Sequence, residues 1–436
     1  MSNNLVVREW GRVVRAQYNA QNGFDEIEVN DQAWLFLSKI AQSSDKNHRY
    51  LTFVNPHILK VCGFVGVIAT PDGVQIEILP KHTSMLDEPY PKGTTGLLDS
   101  RKLLLRMLKA AKVLPFIEST DALIDTVKQP LPEVLIGRFL QDLVQVVRKG
   151  IRKDYQRIEA QERFLKGQLQ TARQLRQSPA KQTQFCIEYD VFSDNRAENR
   201  LIHSALILVT KWSQYLPNQK LARELRFTFD DVPESRHISQ DLQAWRTSRD
   251  MQYYQNLLPW LKLILSQYSP FATANHHAGI SFLLPMDKLF EAYVASEIQR
   301  ALPSGYRLQT QSTQHYLATQ TNRPIFQLRP DLVIYRGNEL VAVLDTKWKL
   351  LDQNQPDGKA GIAQADMYQL FAYGQKCLPG KGRLVLIYPQ WVGFTESLAP
   401  FEFSEHLTLD VIPFDLDSEQ RNINNQAWLQ AILGEA

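Results

Sequence analysis

Cysteine is scarce in this chain of 436 residues. Its three cysteines, Cys62, Cys186 and Cys377, are far apart and odd in number. This spacing argues against a disulfide framework and against a zinc knuckle, both of which need closely spaced or paired cysteines. We therefore expect a reducing, cytoplasmic location.

Long apolar runs are also missing. No uninterrupted apolar stretch approaches about 18 residues, the length needed to cross a bilayer as a helix. The first residues, Met1-Ser-Asn-Asn-Leu-Val-Val-Arg-Glu-Trp, lack the apolar segment that follows a basic start in a signal peptide. We expect neither secretion nor a membrane-spanning segment.

Neither sign of charge is in large excess, since 49 Lys and Arg oppose 46 Asp and Glu, for a net charge of +3. Binding to nucleic acid would therefore depend on local patches rather than on the overall field. One patch lies between Arg148 and Lys181, where about ten basic residues face three acidic ones. It is either a solvated helix face or a surface that follows a phosphate backbone.

A phosphate-binding loop is absent. The nearest match, Gly374 to Gly382, is one residue too long in its spacing and lacks the Ser or Thr after the lysine. It is better explained as a helix C-terminus and turn. We predict that this chain alone binds and hydrolyses no nucleotide.

What is present is the composition of a folded protein, with 44% hydrophobic and 22% charged residues, and a length that suggests two to three domains. The predicted fold class is an α+β N-terminal region and a helical middle region, followed by an α/β domain with a central mixed sheet flanked by helices. The predicted boundaries are residues 1–125, 126–270 and 271–436.

The first two regions differ in their hydrophobic period. Residues 63–69 and 74–79 are β-type runs around Pro71-Asp72-Gly73, which predicts a hairpin, and Asp99-Ser100 can cap the helix that follows. From Pro132 apolar residues recur at helical spacing towards Tyr155. Further long helices are predicted after Asn195 and from 242 to 268, the last kinked at Pro259.

The third region carries the chemistry. A β-type run begins after Asp331, and a second run ends at Asp345-Thr346-Lys347. Strand alternation places Asp345 and Lys347 on one face. Two carboxylates and the backbone carbonyl of Thr346 are ligands that suit magnesium, and Lys347 could orient a water molecule or stabilise a phosphate in the transition state.

Two helices flank these strands in the prediction. Glu291, on the preceding helix, could join the metal directly or through water, or could form a salt bridge instead. On the following helix Gln369 and Tyr373 lie one turn apart on one face, where an amide and a phenol suit a metal-side network and a DNA backbone. Tyr368 and Phe371 are expected in the core.

These motifs together resemble the PD-(D/E)XK nuclease superfamily, in its branch with a Gln-xxx-Tyr helix. More narrowly, the chain resembles the McrC family, the nuclease subunits of 5-methylcytosine-specific restriction systems. The stretches that carry the resemblance run through most of the chain: Ile76–Lys81, Phe164–Leu169, Phe185–Asp190, Asn195–Arg200, Arg329–Asp331, Asp345–Lys349 and Asp366–Tyr373.

The resemblance implies a division of labour. A McrB-like AAA+ hexamer would hydrolyse GTP, and this chain would dock on it, stimulate it and cut double-stranded, methylated DNA. Docking is implied for the N-terminal region and a projecting finger, whose residues no motif locates. The implied catalytic residues are Asp331, Asp345, Lys347 and Gln369, the implied metal ligands are Asp331, Asp345, Thr346 and Glu291, and the implied DNA contacts are Tyr373, Lys349 and Arg329.

The implied cofactor is Mg²⁺, with Mn²⁺ as an alternative ion. Two other functions stay open at this point. One is a non-cleaving activator of an AAA+ ring, and the other is a stand-alone repair nuclease. The retained acidic and lysine residues count against the first, and the long N-terminal two-thirds of the chain counts against the second.

Overall fold

The fold is known from a computed structural model. It describes residues 4–16, 18, 24–42, 49–81, 94–111, 128–178, 181, 183–265, 279–355, 359–416, 429, 432 and 433. No helix within these ranges is long and apolar enough to cross a membrane.

The chain folds as two compact units. The first, here called the split unit, joins Met1–Leu131 with Phe282–Ala436, and the second, the inserted unit, is Pro132–Ser281. The sequence predicted three domains instead, and the predicted boundaries at 125 and 270 lie outside the described residues. The first and third predicted regions form one unit because strands from both regions pair in the same sheet.

The N-terminal half of the split unit is rich in strands, as predicted. Its elements are β1 (Asn4–Arg8), β2 (Arg12–Arg15), β3 (Glu26–Val29), α1 (Asp31–Gln42), β4 (Leu51–Asn55), β5 (Ile58–Val61), β6 (Phe64–Ala69), β7 (Gln75–Leu79) and α2 (Thr94–Ala110). The predicted hairpin is confirmed, because β6 and β7 pair antiparallel. The predicted cap at Asp99-Ser100 is wrong, since α2 begins five residues earlier.

The inserted unit mixes helices with one small sheet. Its elements are α3 (Leu131–Lys149), β8 (Asp154–Glu162), β9 (Gln168–Leu169), α4 (Thr171–Leu175), β10 (Phe185–Ser193), α5 (Ala197–Trp212), α6 (Leu216–Thr228), α7 (Ile238–Gln243), a 3-10 helix (Arg249–Leu257) and α8 (Leu258–Ile264). The long strands β8 and β10 pair antiparallel over their full length. We call this pair the long ribbon.

Two predictions for this unit are wrong. The first helix stops at Lys149 instead of continuing to Tyr155, because Gly150 takes a left-handed φ of +94° that ends the helix. The basic segment after it therefore lies mainly on and beside the long ribbon. The third predicted helix is three short helical segments, and Pro259 starts α8 rather than kinking a longer helix. The predicted helix after Asn195 is confirmed as α5.

The C-terminal half of the split unit contains the predicted mixed sheet. Its elements are β11 (Phe282–Pro285), α9 (Met286–Ala301), β12 (Tyr306–Thr310), β13 (Tyr316–Gln320), β14 (Arg323–Gln327), β15 (Leu332–Arg336), β16 (Glu339–Thr346), α10 (Gln364–Cys377), β17 (Gly382–Pro389), β18 (Phe401–Ser404) and β19 (Leu407–Phe414). Strand β11 pairs with β6 and so joins the two halves of the split unit.

Six strands form the central sheet, in the order β12-β15-β16-β17-β19-β18. The pairs β16–β17 and β17–β19 are parallel, whereas the other neighbours are antiparallel. Helix α10 packs on β16 and β17. At Gly374 the helix comes so close that an added Cβ would lie 2.6 Å from a methyl of Leu407. The core below α10 includes Val343, Leu370, Leu384 and Leu409.

Candidate active site

The strand pairing brings the predicted carboxylates together. Asp331 directly precedes β15, and Asp345 and Thr346 end β16. Because these strands pair antiparallel with Leu332 opposite Leu344, the start of one lies beside the end of the other. Oδ2 of Asp331 accepts hydrogen bonds from the backbone N–H of Thr346 at 2.9 Å and from its hydroxyl at 3.0 Å. Thr346 thus orients Asp331.

The Asp345 carboxylate is almost completely buried, with 1% of the residue exposed. Burial, and then the nearby Asp331 carboxylate, raise the pKa of Asp345 to about 6, although Lys347 partly offsets this. Nζ of Lys347 lies 2.6 Å from Oδ2 of Asp345, and because the contact is poorly aligned for a hydrogen bond it is best described as an ion pair. Two crowded carboxylates of this kind favour a bound cation.

Lys347 keeps its charge in this setting. Burial alone would lower its pKa, but the carboxylates of Asp345, Asp366 and Asp331 raise the pKa of Lys347 above its usual value. An ammonium group cannot accept a proton. A charged Lys347 is consistent with both predicted roles, orienting a water molecule and stabilising negative charge on a phosphate.

Helix α10 adds a chain of hydrogen bonds through Gln369 and Tyr373, which lie on one helix face as predicted. Nζ of Lys347 donates to Oε1 of Gln369 at 3.4 Å, Nε2 of Gln369 donates to the hydroxyl of Tyr373 at 2.7 Å, and this hydroxyl donates to the carbonyl of Arg329 at 3.0 Å. The chain links the lysine to the residue two places before Asp331. Tyr373 is buried, so its contact with DNA stays a prediction.

Asp366 is a member of the site that sequence reasoning overlooked. It lies in the first turn of α10, buried, with Oδ1 3.9 Å from Nζ of Lys347 and Oδ2 3.3 Å from Nζ of Lys349. Its place three residues before Gln369 put it on the same helix face and could have indicated this role. The Asp366 carboxylate therefore attracts both Lys347 and Lys349, the two lysines that follow β16.

Glu291 lies at the edge of the site. Its Oε2 forms an ion pair with Nζ of Lys288 at 2.7 Å, and its Oε1 accepts a hydrogen bond from Nε2 of Gln311 at 3.3 Å. The backbone N–H of Gln311 in turn donates to the carbonyl of Asp331 at 2.8 Å. The predicted salt bridge is thus present, and metal binding by Glu291 stays a prediction.

The other predicted DNA contacts lie at the surface beside the carboxylates. Arg329 is exposed and its guanidinium donates to Oε1 of Gln327 at 2.9 and 3.1 Å. Lys349 is exposed and pairs with Asp366. The structure brings both within the neighbourhood of Asp331 and Lys347, while their contact with DNA stays a prediction. In contrast to the prediction, Tyr368 and Phe371 are not in the core, being 65% and 43% exposed.

The donor set suits a hard cation. No group of three or more His, Cys, Asp or Glu side chains arranged for a metal occurs in the described part of the chain. Asp331 and Asp345 nevertheless offer two crowded carboxylates, and magnesium needs only a few protein oxygens beside its waters. The carbonyl of Thr346 as a third ligand stays a prediction.

A second missed contact joins the site to the N-terminal strands. The indole N–H of Trp348, next to Lys347, donates to Oε1 of Glu9 at 2.6 Å. The same oxygen accepts the backbone N–H of Lys81 at 3.0 Å. No sequence signal could have found a contact between residues 339 positions apart. The end of β16 is therefore anchored on β1 and β7.

Comparisons with known proteins agree with the resemblance seen in the sequence. The family model described as "McrBC 5-methylcytosine restriction system component" matches residues 59–389. No curated protein matches the chain.

Among solved structures, McrC bound to McrB AAA+ hexamers in a tetradecameric assembly of Thermococcus gammatolerans is 18% identical, with a TM-score of 0.70, and covers 98% of this chain and 100% of its own. A second structure, the T. gammatolerans McrBC complex, is 19% identical with a TM-score of 0.47, covering 69% of this chain and 88% of its own. The first shows that the fold is that of McrC over nearly the whole length. Because the family model also spans well over half of the sequence, the chain belongs to the family of McrBC 5-methylcytosine restriction system components.

Proposed function

We propose that this chain is the DNA-cutting subunit of a modification-dependent restriction complex, with a PD-(D/E)XK nuclease site that uses Mg²⁺. The observation that carries the proposal is the connected set of Asp331, Asp345, Lys347 and Gln369 at one end of β15 and β16. A surface salt bridge would not require a carboxylate that is 1% exposed beside a second carboxylate. Metal-dependent hydrolysis of a phosphodiester bond does use such carboxylates, because they hold the cation that neutralises the phosphate.

Each residue has a role in the proposed reaction. Asp331 and Asp345 would hold the cation, which when bound supplies charge neutralisation at the phosphate and activates water. Thr346 fixes Asp331 through two hydrogen bonds, and Asp366 and Gln369 hold the ammonium of Lys347. Lys347 would face the attacked phosphate and stabilise its developing negative charge.

A cleavage assay tests this assignment. With the AAA+ partner, GTP, Mg²⁺ and methylated DNA, Asp345→Asn and Lys347→Ala should each lower the cutting rate by about a hundredfold or more, because each removes charge stabilisation in the transition state. Glu402→Ala, which removes an exposed carboxylate from β18 of the same sheet, is the matched control and should cut like wild type.

The stimulated GTPase rate of the partner shows whether each variant is folded and docked. A variant that stimulates GTP hydrolysis but still cuts at the wild-type rate would contradict the assignment. A wild-type chain that stimulates and cuts no DNA under these conditions would favour the non-cleaving activator instead.

We also propose that the long ribbon takes part in docking on a McrB-like AAA+ hexamer, the partner of the similar T. gammatolerans chain. Large apolar side chains on and beside it are exposed to solvent: Tyr155 at 70%, Phe164 at 81%, Leu165 at 60%, Leu175 at 82% and Phe192 at 57%. A folded protein rarely exposes so many large apolar side chains on and beside one pair of strands unless a partner covers them. The resemblance implied docking through the N-terminal region. We propose the inserted unit instead, because it carries these exposed residues.

A further inference from the structure

A second, shorter ribbon leaves the central sheet beside the candidate site. Strands β13 and β14 pair only with each other, and all five residues of β13 are exposed. We call this pair the short ribbon. Thr321 and Asn322 connect the strands with φ angles of +48° and +62°, a tight two-residue turn that closes the ribbon at its tip. Five residues a strand extend about 17 Å.

The base of the short ribbon lies next to Asp331. Gln311, before β13, donates its backbone N–H to the carbonyl of Asp331 and its amide to Glu291. Leu328, after β14, donates its backbone N–H to the carbonyl of His315 at 2.8 Å. The ribbon therefore begins and ends close to the start of β15, where Asp331 lies.

The charge of the short ribbon suits a polyanion. No acidic residue occurs between Gln311 and Arg329, whereas His315, Arg323 and Arg329 do. Within the described residues, Arg323 and Arg329 make no ion pair with a carboxylate. An unneutralised arginine at the tip and another at the base would both be attracted to phosphates.

The short ribbon also exposes apolar side chains that its own fold does not need. Leu317 and Phe326 lie between the strand pairs Tyr316–Gln327 and Ala318–Ile325, and they are 43% and 70% exposed. Phe326 takes a φ of +57°, a strained conformation for a residue with an aromatic side chain. Strain and exposure at one residue point to a contact made outside the chain.

We infer that the short ribbon is a DNA-binding element that lies in a groove of the duplex next to the bond being cut. Arg323 would contact a phosphate near the tip, and Leu317 and Phe326 would pack on sugars and base edges. A two-stranded ribbon has the width that a DNA groove admits. The absence of acidic residues favours DNA over a protein partner. This inference rests on the proposed nuclease function, because it names how that site holds its substrate.

Kinetics in the complete complex with partner, GTP and Mg²⁺ test the inference. Arg323→Ala and Phe326→Ala should each raise the KM for DNA about fivefold to tenfold with kcat within about twofold, and Arg323→Ala should lower the slope of log binding against log salt by about 1. Lys381→Ala is the matched control, because Lys381 lies just before the start of β17, at the end of the sheet away from Thr346 and the candidate site. It should leave KM unchanged.

A photo-crosslinking phenylalanine analogue at position 326 gives a second readout that needs no cutting. It should crosslink to DNA in the complex, whereas the same analogue at position 381 should not. Wild-type KM in both ribbon variants, or crosslinks from position 326 to the AAA+ partner alone, would overturn the inference. If Asp345→Asn cuts normally while position 326 still crosslinks to DNA, the proposed function fails and the ribbon assignment stands.

Discussion

At the scale of single residues, Glu9 is unusual because its ionisable carboxyl group is buried. The side chain is fully buried, one carboxylate oxygen accepts two hydrogen bonds, and the other has no partner among the described residues. Burial raises the pKa of Glu9 to about 7, and its hydrogen bonds with Lys81 and Trp348 only partly offset this.

Glu9 should therefore make stability depend on pH. Between about pH 4.5 and 7 the folded chain keeps the proton that the unfolded chain loses, so the stability falls as pH rises, by about 3 kcal/mol in total. Glu9→Gln cannot ionise but keeps an oxygen for both donors. Its urea midpoint should fall less than that of wild type between about pH 5 and pH 8.

The matched control for this measurement is Glu339→Gln, which removes an exposed carboxylate from the same unit. It should follow the wild-type pH dependence. An equal fall in midpoint for Glu9→Gln and wild type would show that Glu9 is not protonated in the folded chain.

Residues of the candidate site differ in how far sequence could predict them. Asp345 and Lys347 could be predicted as a pair because a strand fixes its own side-chain alternation over two positions, and Asp331 because a β-type run follows it directly. Gln369 was predicted because helical spacing is equally local. Trp348 and Glu9 could not be paired in advance, since nothing within either segment specifies which distant strand it meets.

At the scale of elements, the long ribbon is where sequence reasoning failed and where docking is proposed. Strand β8 is exposed along most of its length, and β10 buries the successive residues Cys186 and Ile187, so neither strand shows the regular alternation of apolar and polar residues that marks a half-buried strand. The Gln, Arg and Glu residues of β8 favour a helix by propensity, and the pairing with β10 overrides this preference.

If the long ribbon docks on the AAA+ partner, its exposed end should matter most. Phe164→Ser with Leu165→Ser removes two exposed apolar side chains between β8 and β9 and should weaken stimulation of GTP hydrolysis about tenfold or more, measured as the concentration for half-maximal rate. Leu216→Ser, 76% exposed on α6 of the same unit, is the control. Loss in the control alone would contradict docking through the ribbon.

At the scale of the whole molecule, docking and cutting should separate. The Asp345→Asn chain keeps its ribbons, so it should still stimulate GTP hydrolysis. When the Asp345→Asn chain and wild type are mixed in equal amounts with a limiting amount of the AAA+ partner, the cutting rate should fall to about half, because the two chains compete for the partner. The Phe164→Ser, Leu165→Ser chain should not compete, and competition by it would show that docking occurs elsewhere.

The split unit also sets an order for folding during synthesis. Strand β6 is made early, but β11, its partner at the sheet edge, emerges only after the complete inserted unit. The inserted unit is continuous in sequence and can fold first, whereas β6 can pair with β7 but keeps its other edge unpaired until β11 emerges. Glu9 and Trp348 meet later still. Residues through Tyr373 must therefore leave the ribosome before the candidate site is complete, so that, under the proposed function, shorter nascent chains would cut no DNA.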